Sequence, residues 1–277
     1  CFFGLIHTKA GSVLNVLIGQ RLDEGQGTVL PCWHSLVSMH PTQHANPPVI
    51  TEELLRRLDV AGPRYTSYPT ADRFVEAFTA QQYDQALAAR ATGAGSVGGA
   101  LPLSIYVHIP FCESVCYYCA CNKVITRHHE RAGEYLDALE QEMALHVERL
   151  GSGQSVSQLH LGGGSPTFLS DVELARLMDS LRAAFRIGAA AEVSIEVDPR
   201  TVSAERLKRL AEIGFNRLSF GVQDIDPAVQ QAVHRVQSLH SVSELITAAR
   251  ALGFESTNVD LIYGLPAQTP TSLANTV

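Results

Sequence analysis

The sequence predicts an α/β fold in which short strands alternate with longer amphipathic helices, and two observations carry that expectation. Five short apolar runs, at 104–109, 158–161, 193–197, 217–221 and 258–263, have the length and residue types of strands. Between them apolar residues recur at helical spacing, as in Tyr135, Leu136, Leu139, Met143, Val147 and Leu150, or Leu174, Leu177, Met178, Leu181 and Phe185, so each such segment has one face to bury. The order is βα repeated. It favours a parallel sheet with helical crossovers, doubly wound or closed as a barrel, and periodicity alone does not choose.

Taken from the N-terminus, residues 1–38 mix Gly, His and isolated apolar residues with no sustained period of two or 3.6. No regular element is expected there, and residues 1–48 read as a disordered extension. The chain begins with Cys1, and Met39, at the head of a polar, Pro-rich stretch, is a candidate true start. At Thr51 a helix is expected to begin, with Thr51 as N-cap and Glu52 and Glu53 in its first turn. A second helical stretch, 81–90, runs into 91–100, where Gly, Ala and Ser dominate and no side chains can build a core. Residues 49–100 are thus a helical segment and linker ahead of the βα repeats at 101–277. Within the repeats, Ser170 with Glu173 and Ser241 with Glu244 have capping-box spacing, and Asp226 precedes Pro227 at a first helical position.

Composition narrows the function. With 45% hydrophobic and 18% charged residues the chain has the make-up of a soluble globular protein, and no apolar run approaches the roughly 18 residues that cross a bilayer. A formal charge of -7 and the lack of Lys/Arg runs argue against a nucleic-acid surface, and an anionic substrate would need a local basic pocket. Of six cysteines, Cys112, Cys116, Cys119 and Cys121 crowd into one segment, whereas disulfide frameworks spread their cysteines. With no leader-like N-terminus, the cluster reads as reduced thiols for a metal, and the expected compartment is the cytoplasm.

The cysteine segment follows the first strand: Cys112-Glu113-Ser114-Val115-Cys116-Tyr117-Tyr118-Cys119-Ala120-Cys121. Three thiolates on one loop can hold a four-iron cluster and leave one iron open. The alternative is a zinc site, but zinc ribbons bring a second Cys or His pair from elsewhere, and only Cys1 and Cys32 remain. The second strand ends in Gly162-Gly163-Gly164-Ser165, where absent side chains let the backbone approach a ligand, though a Gly run is commonly just a turn. Glu196 and Asp198 close the third strand, Gln223 and Asp224 follow the fourth, and Asp260 sits on the fifth. Polar groups at successive C-terminal strand ends are where barrel enzymes place their sites. Each alone could instead cap the next helix. Arg235 is either a solvated cation or an anion-binding fork, and His108 either a satisfied strand histidine or a functional one.

CxxxCxxC after a first strand, with Tyr118 before the third Cys, resembles the signature of radical S-adenosylmethionine enzymes. Longer strings narrow the likeness: Arg64-Tyr65-Thr66-Ser67-Tyr68-Pro69-Thr70, Tyr106-Val107-His108-Ile109-Pro110-Phe111 and Ser194-Ile195-Glu196-Val197-Asp198-Pro199-Arg200. From about Val49 to its end the chain resembles the oxygen-independent coproporphyrinogen III oxidases of haem biosynthesis. The resemblance implies a partial (β/α)6 barrel, of which about five βα units lie here. It implies a 4Fe-4S cluster on Cys112, Cys116 and Cys119, and two molecules of S-adenosyl-L-methionine. Tyr106, Gly163 and Glu196 match contacts to the molecule on the cluster. Tyr118, Gly164, Ser165, Gln223, Arg235 and Asp260 match contacts to the second. Cys121 and His108 are the expected catalytic residues.

The implied reaction converts two propionates of coproporphyrinogen III to vinyls, giving protoporphyrinogen IX, through a 5'-deoxyadenosyl radical. A monomer served by an electron donor, with neither nucleic acid nor membrane as partner, is the implied state. Ser165 stands where Thr is common, Tyr118 where Phe is common and Ala120 where Gly occurs, and none of these removes a ligand. The family continues past the position of Val277, so a chain able to assemble the cluster loop but not to complete the reaction is expected. A haem-trafficking relative without oxidase activity is the alternative, from which Cys121 and the Arg64–Thr70 string separate this chain.

Overall fold

The computed structural model describes residues 14–17, 51–58, 73, 75, 77–91 and 101–277. A short strand, β1 (Leu14–Leu17), and two helices, α1 (Glu52–Leu58) and α2 (Ala80–Ala91), precede the repeats. There follow β2 (Leu103–Ile109), the two-residue strands β3 (Phe111–Cys112) and β4 (Val124–Ile125), and α3 (Arg131–Leu150). The remaining units are β5 (Ser155–Gly163) with α4 (Asp171–Ala184), β6 (Arg186–Val197) with α5 (Ala204–Ile213), and β7 (Arg217–Gln223) with α6 (Pro227–Ala232) and α7 (Leu239–Ala251). Last come β8 (Ser256–Leu261) and α8 (Pro270–Thr276).

The main sheet runs β1-β2-β5-β6-β7-β8, with β2 through β8 parallel and β1 antiparallel to β2. A doubly wound sheet reverses its strand order at a switch point. Here each parallel strand is added on the same side as the last, so the winding is that of a barrel left open. The choice that periodicity left undecided is made by strand order. Consecutive helices pack in one layer, α3 against α4, α4 against α5 and α5 against α7. Beneath them lies the core, with Leu103, Ile105 and Val107 of β2, Leu159 and Leu161 of β5, Ile195 of β6 and Leu218 and Phe220 of β7 all at most 1% exposed. Because strand side chains alternate, the opposite face carries Tyr106, His108, His160, Ser194, Glu196, Ser219 and Asp260. The sheet is dry on its helix face and polar on its concave face.

Most of the local grammar operates as the sequence implies. Thr51 accepts the Leu54 amide at 3.1 Å. Ser170 and Glu173 form a reciprocal capping box, and Asp226 accepts from the amides of Ala228 and Val229 with Pro227 beginning α6. Three differences stand out. The helix expected to start at Ser241 starts three residues earlier, because Ser238 caps it through the Ser241 amide. The third strand begins at Arg186, as Arg186 and Ile187 pair with Ser155 and Val156 across a Gly/Ala stretch that carries no strand pattern. And where no element was expected before Met39, Leu14–Leu17 lies along β2, Leu14 opposite Val107 and Leu17 opposite Ser104. Four residues are too few to show a period, and the edge of β2 offers the backbone groups that pair them. Met39, the Arg64–Thr70 string and most of the expected linker lie outside the described residues.

Truncating a core side chain should be costly. Leu161→Ala, in the middle of β5, is expected to lower stability by about 2–5 kcal/mol, measured as a lower midpoint in denaturant unfolding with an unchanged slope.

Candidate functional site

The segment from Cys112 to Val124 leaves β2 and returns beside it. Its ends are fastened by the parallel β3–β4 pair, with Phe111 opposite Val124 and Cys112 opposite Ile125. The Val124 amide donates to Pro110 O at 2.7 Å and the Thr126 amide to Cys112 O at 2.9 Å. At its apex the Tyr117 amide donates to Val233 O at 3.0 Å. His234, at the end of α6, lies stacked on the Tyr117 ring at 5.3 Å between centroids and bonds Val115 O at 2.9 Å. Lys123 curls the far side inward, its ammonium donating to Cys119 O at 2.9 Å.

Against the loop's root lies the glycine run of β5. The Gly164 amide donates to Ile109 O at 2.8 Å and the Ser165 amide to Phe111 O at 2.9 Å. A Cβ at Gly162 would stand 2.8 Å from Glu196 Oε1 and 2.9 Å from the Tyr106 ring, and one at Gly163 2.8 Å from the His108 ring. Gly163 also has φ +119°, a backbone conformation that side chains other than glycine's rarely adopt. At Gly163 a Cβ would also stand 2.9 Å from Ile109 O, so glycine is required there by space as well as by backbone, and the run forms a cradle. Its wall is the Glu196 carboxylate, which accepts the Gly163 amide at 3.2 Å.

Cys116 faces two guanidinium groups. Arg235 reaches its Sγ at 3.4 Å and Arg200 at 3.7 Å. Asp198 bridges the same two arginines, at 3.2 Å from Arg235 and 2.7 Å from Arg200. Burial opposes the charge on Asp198, but the hydrogen bonds from Arg200 and the charges of both arginines outweigh it and hold the carboxyl below its ordinary range. Arg235 is nearly buried and also donates to Gly221 O at 2.6 Å, so it is no solvated cation. On the next strand Asp260 accepts from Ser219 Oγ and Asn258 Nδ2, both at 2.8 Å. Burial, reinforced by Cys119 and the other thiols, pushes Cys112 up to about 11, and burial together with Cys119 does the same to Cys121. The Tyr118 phenol is raised by burial against the pull of Arg235.

These groups surround one cavity of ≈ 1050 Å³ at the C-terminal ends of the strands. Cys112, Cys116, Cys119, Cys121, Tyr118, Gly163, Gly164, Ser165, Glu196, Gln223, Arg235 and Asp260 all border it. Tyr106 and His108 do not border it. The Tyr106 hydroxyl bonds His108 Nδ1 at 3.2 Å within β2, and His108 Nε2 donates to Asn122 O at 2.8 Å, so both ring nitrogens are engaged and the second bond ties the loop to β2. Two residues escaped the sequence reading. His160 lies two positions before Gly162 and hence on its face of β5, a signal that strand alternation carries. Arg200 follows Asp198-Pro199, but its bond to Cys116 joins distant parts of the chain and has no local signature.

The donor set suits an iron–sulfur cluster. Soft thiols favour it, and the glycine cradle leaves backbone-lined space beside them.

Residues 106–277 match the Radical SAM superfamily. Over 224 residues the chain is 50% identical to the oxygen-independent coproporphyrinogen III oxidase of Escherichia coli (strain K12), covering 81% of this chain and 47% of that protein. It is 48% identical over 227 residues to the Pseudomonas aeruginosa protein of the same name, covering 81% of this chain and 48% of that one. Among solved structures, coproporphyrinogen III oxidase (HemN) from Escherichia coli superposes with a TM-score of 0.70 at 50% identity, over 77% of this chain and 47% of that chain. The chain thus spans about half the length of the curated relatives it matches.

Proposed function

Because the chain belongs to the radical SAM superfamily, we propose that it carries the radical-forming site of an oxygen-independent coproporphyrinogen III oxidase of haem biosynthesis. The observation that supports this most is the convergence of four loop thiols, a glycine cradle and the carboxylates of β6 and β8 on one cavity. Cys112, Cys116 and Cys119 would hold a 4Fe-4S cluster as thiolates, three ligands leaving one iron open. With both bound, the cluster and S-adenosylmethionine would supply the radical chemistry that takes a hydrogen atom from a substrate propionate.

The protein's own contribution is placement and shielding. Glu196, held by the Gly163 amide, offers acceptor lone pairs that would take the ribose hydroxyls of the cofactor. Gly163 lets the backbone approach that cofactor closely, and Tyr106 is the third contact to it. Tyr118, Gly164, Ser165, Gln223, Arg235 and Asp260 border the space for a second S-adenosylmethionine. His108 fastens the loop, and Cys121 serves the reaction without holding iron. In this proposal the protein is a monomer that draws electrons from a separate donor and acts on coproporphyrinogen III.

The test is an anaerobic assay of the reconstituted chain that follows 5'-deoxyadenosine and protoporphyrinogen IX together. Formation of 5'-deoxyadenosine supports the radical-forming site, the vinyl product supports the whole reaction, and the absence of both under reducing conditions refutes the proposal. Glu196→Ala is expected to weaken S-adenosylmethionine binding roughly ten- to a hundredfold, the range for lost hydrogen bonds to a charged group. Calorimetric titration reads this directly, and an unchanged affinity would return Glu196 to a structural role.

A further inference from the structure

We propose that His160 is the positioning residue that fixes the Glu196 carboxylate for its ligand, an inference that rests on the cofactor role given to Glu196 above. Tyr106, His160 and Ser194 stand side by side on adjacent strands in one row of the concave face. The His160 ring stacks on Tyr106, centroids 5.7 Å apart and planes 22° off parallel, which sets its plane. Its two nitrogens set its rotation. Nδ1 lies 2.6 Å from Ser194 Oγ and Nε2 lies 3.3 Å from Glu196 Oε1.

The carboxylate decides which nitrogen must carry a hydrogen. A carboxylate oxygen only accepts, so the 3.3 Å contact to Glu196 Oε1 requires the hydrogen on Nε2, and the N–H points at the carboxylate. Ser194 Oγ, which also donates to Leu159 O at 3.4 Å, partners Nδ1 at 2.6 Å and fixes the other side of the ring. Glu196 is held on both oxygens, Oε1 by His160 and Oε2 by the Gly163 amide at 3.2 Å. The carboxylate lies against Gly162, where a Cβ would come within 2.8 Å of Oε1. His160 does not border the cavity, and its contact toward it is the one to Glu196, which does.

The amide nitrogen of Gln reaches the position of His Nε2, and that of Asn the position of His Nδ1. This separates the two contacts. The experiment is calorimetric titration of S-adenosylmethionine into the anaerobically reconstituted full chain, with iron content measured for every variant. H160F should bind about tenfold more weakly, H160Q should recover most of the affinity, and H160N should stay weak. In the E196A background H160F should add nothing. Wild-type affinity in H160F, equal affinity in H160N and H160Q, or additive losses in the double variant would each overturn the inference. If E196A itself binds as wild type, the cofactor role of Glu196 falls and this inference with it. If E196A weakens binding and H160F does not, only the positioning role falls.

Discussion

Replacing any one of Cys112, Cys116 or Cys119 by Ala will abolish the brown iron–sulfur chromophore of the reconstituted chain, while Cys121→Ala will retain it. Three thiolates are the set that leaves one iron open, so losing one leaves too few. The four thiols border one cavity but differ in setting. Cys112 is pinned in the β3–β4 pair, Cys116 is buried beside Arg235 and Arg200, and the Cys119 amide folds back on Cys116 O at 3.0 Å. Cys121 lies beyond that turn and is exposed as a residue, with its thiol turned back onto Cys119, and it is the likeness to the family that leaves it out of the ligand set. Visible absorption and iron content after anaerobic reconstitution measure the effect. Bleaching by Cys121→Ala as complete as by Cys119→Ala would overturn the ligand assignment. In a complete enzyme, Cys121→Ala should keep the cluster and lose product formation.

Gly164→Ala will destabilise the protein by about 3 kcal/mol and reduce its iron content. The new Cβ would meet Pro110 O at 2.8 Å and Phe111 O at 2.9 Å. Both are backbone atoms, which cannot swing aside as a side chain can. Relief requires separating β5 from the root of the thiol loop and lengthening the bonds from the Gly164 and Ser165 amides. Overpacking costs roughly 1–3 kcal/mol and each weakened hydrogen bond about 1. Gly133, within α3, is the control, since a Cβ there meets nothing within 4 Å. Gly133→Ala should gain about 0.5–1 kcal/mol through helix propensity. Denaturant unfolding of the two variants against the parent settles the comparison, and equal midpoints for all three would refute it.

How far the sequence announces this structure differs by kind of feature. The five parallel strands are legible because each is an apolar run flanked by an amphipathic helix, and the helix starts because Ser170, Asp226 and Thr51 act locally. The N-terminal half of β6 is not legible, since Arg186 and Ile187 join the sheet through their partners on β5 rather than through any pattern of their own. Strand order likewise depends on which edge receives each new strand. At the site, Cys112, Gly163 and Glu196 could be found because their motifs are continuous in the chain. Arg235 was found by likeness to a family. Its charge balance with Asp198 and Arg200 around Cys116 emerges only when three segments meet. His160 is the instructive omission, because alternation along β5 places it on the glycine face and no motif draws attention to it.

The two-residue β3–β4 pair has a thermodynamic consequence. It closes the thiol loop by backbone hydrogen bonds, so the entropic cost of gathering the cysteines is met by folding before any iron arrives. Iron loading and folding then share one equilibrium, because the unfolded chain has no gathered thiols to offer. Loaded protein should unfold at higher denaturant than unloaded protein, by an amount that grows with the logarithm of free metal over its dissociation constant. Conversely, a substitution such as Leu161→Ala, which touches no thiol, should make the protein release iron at a denaturant concentration that the parent tolerates. A packing defect in the sheet would then present itself as a cofactor defect.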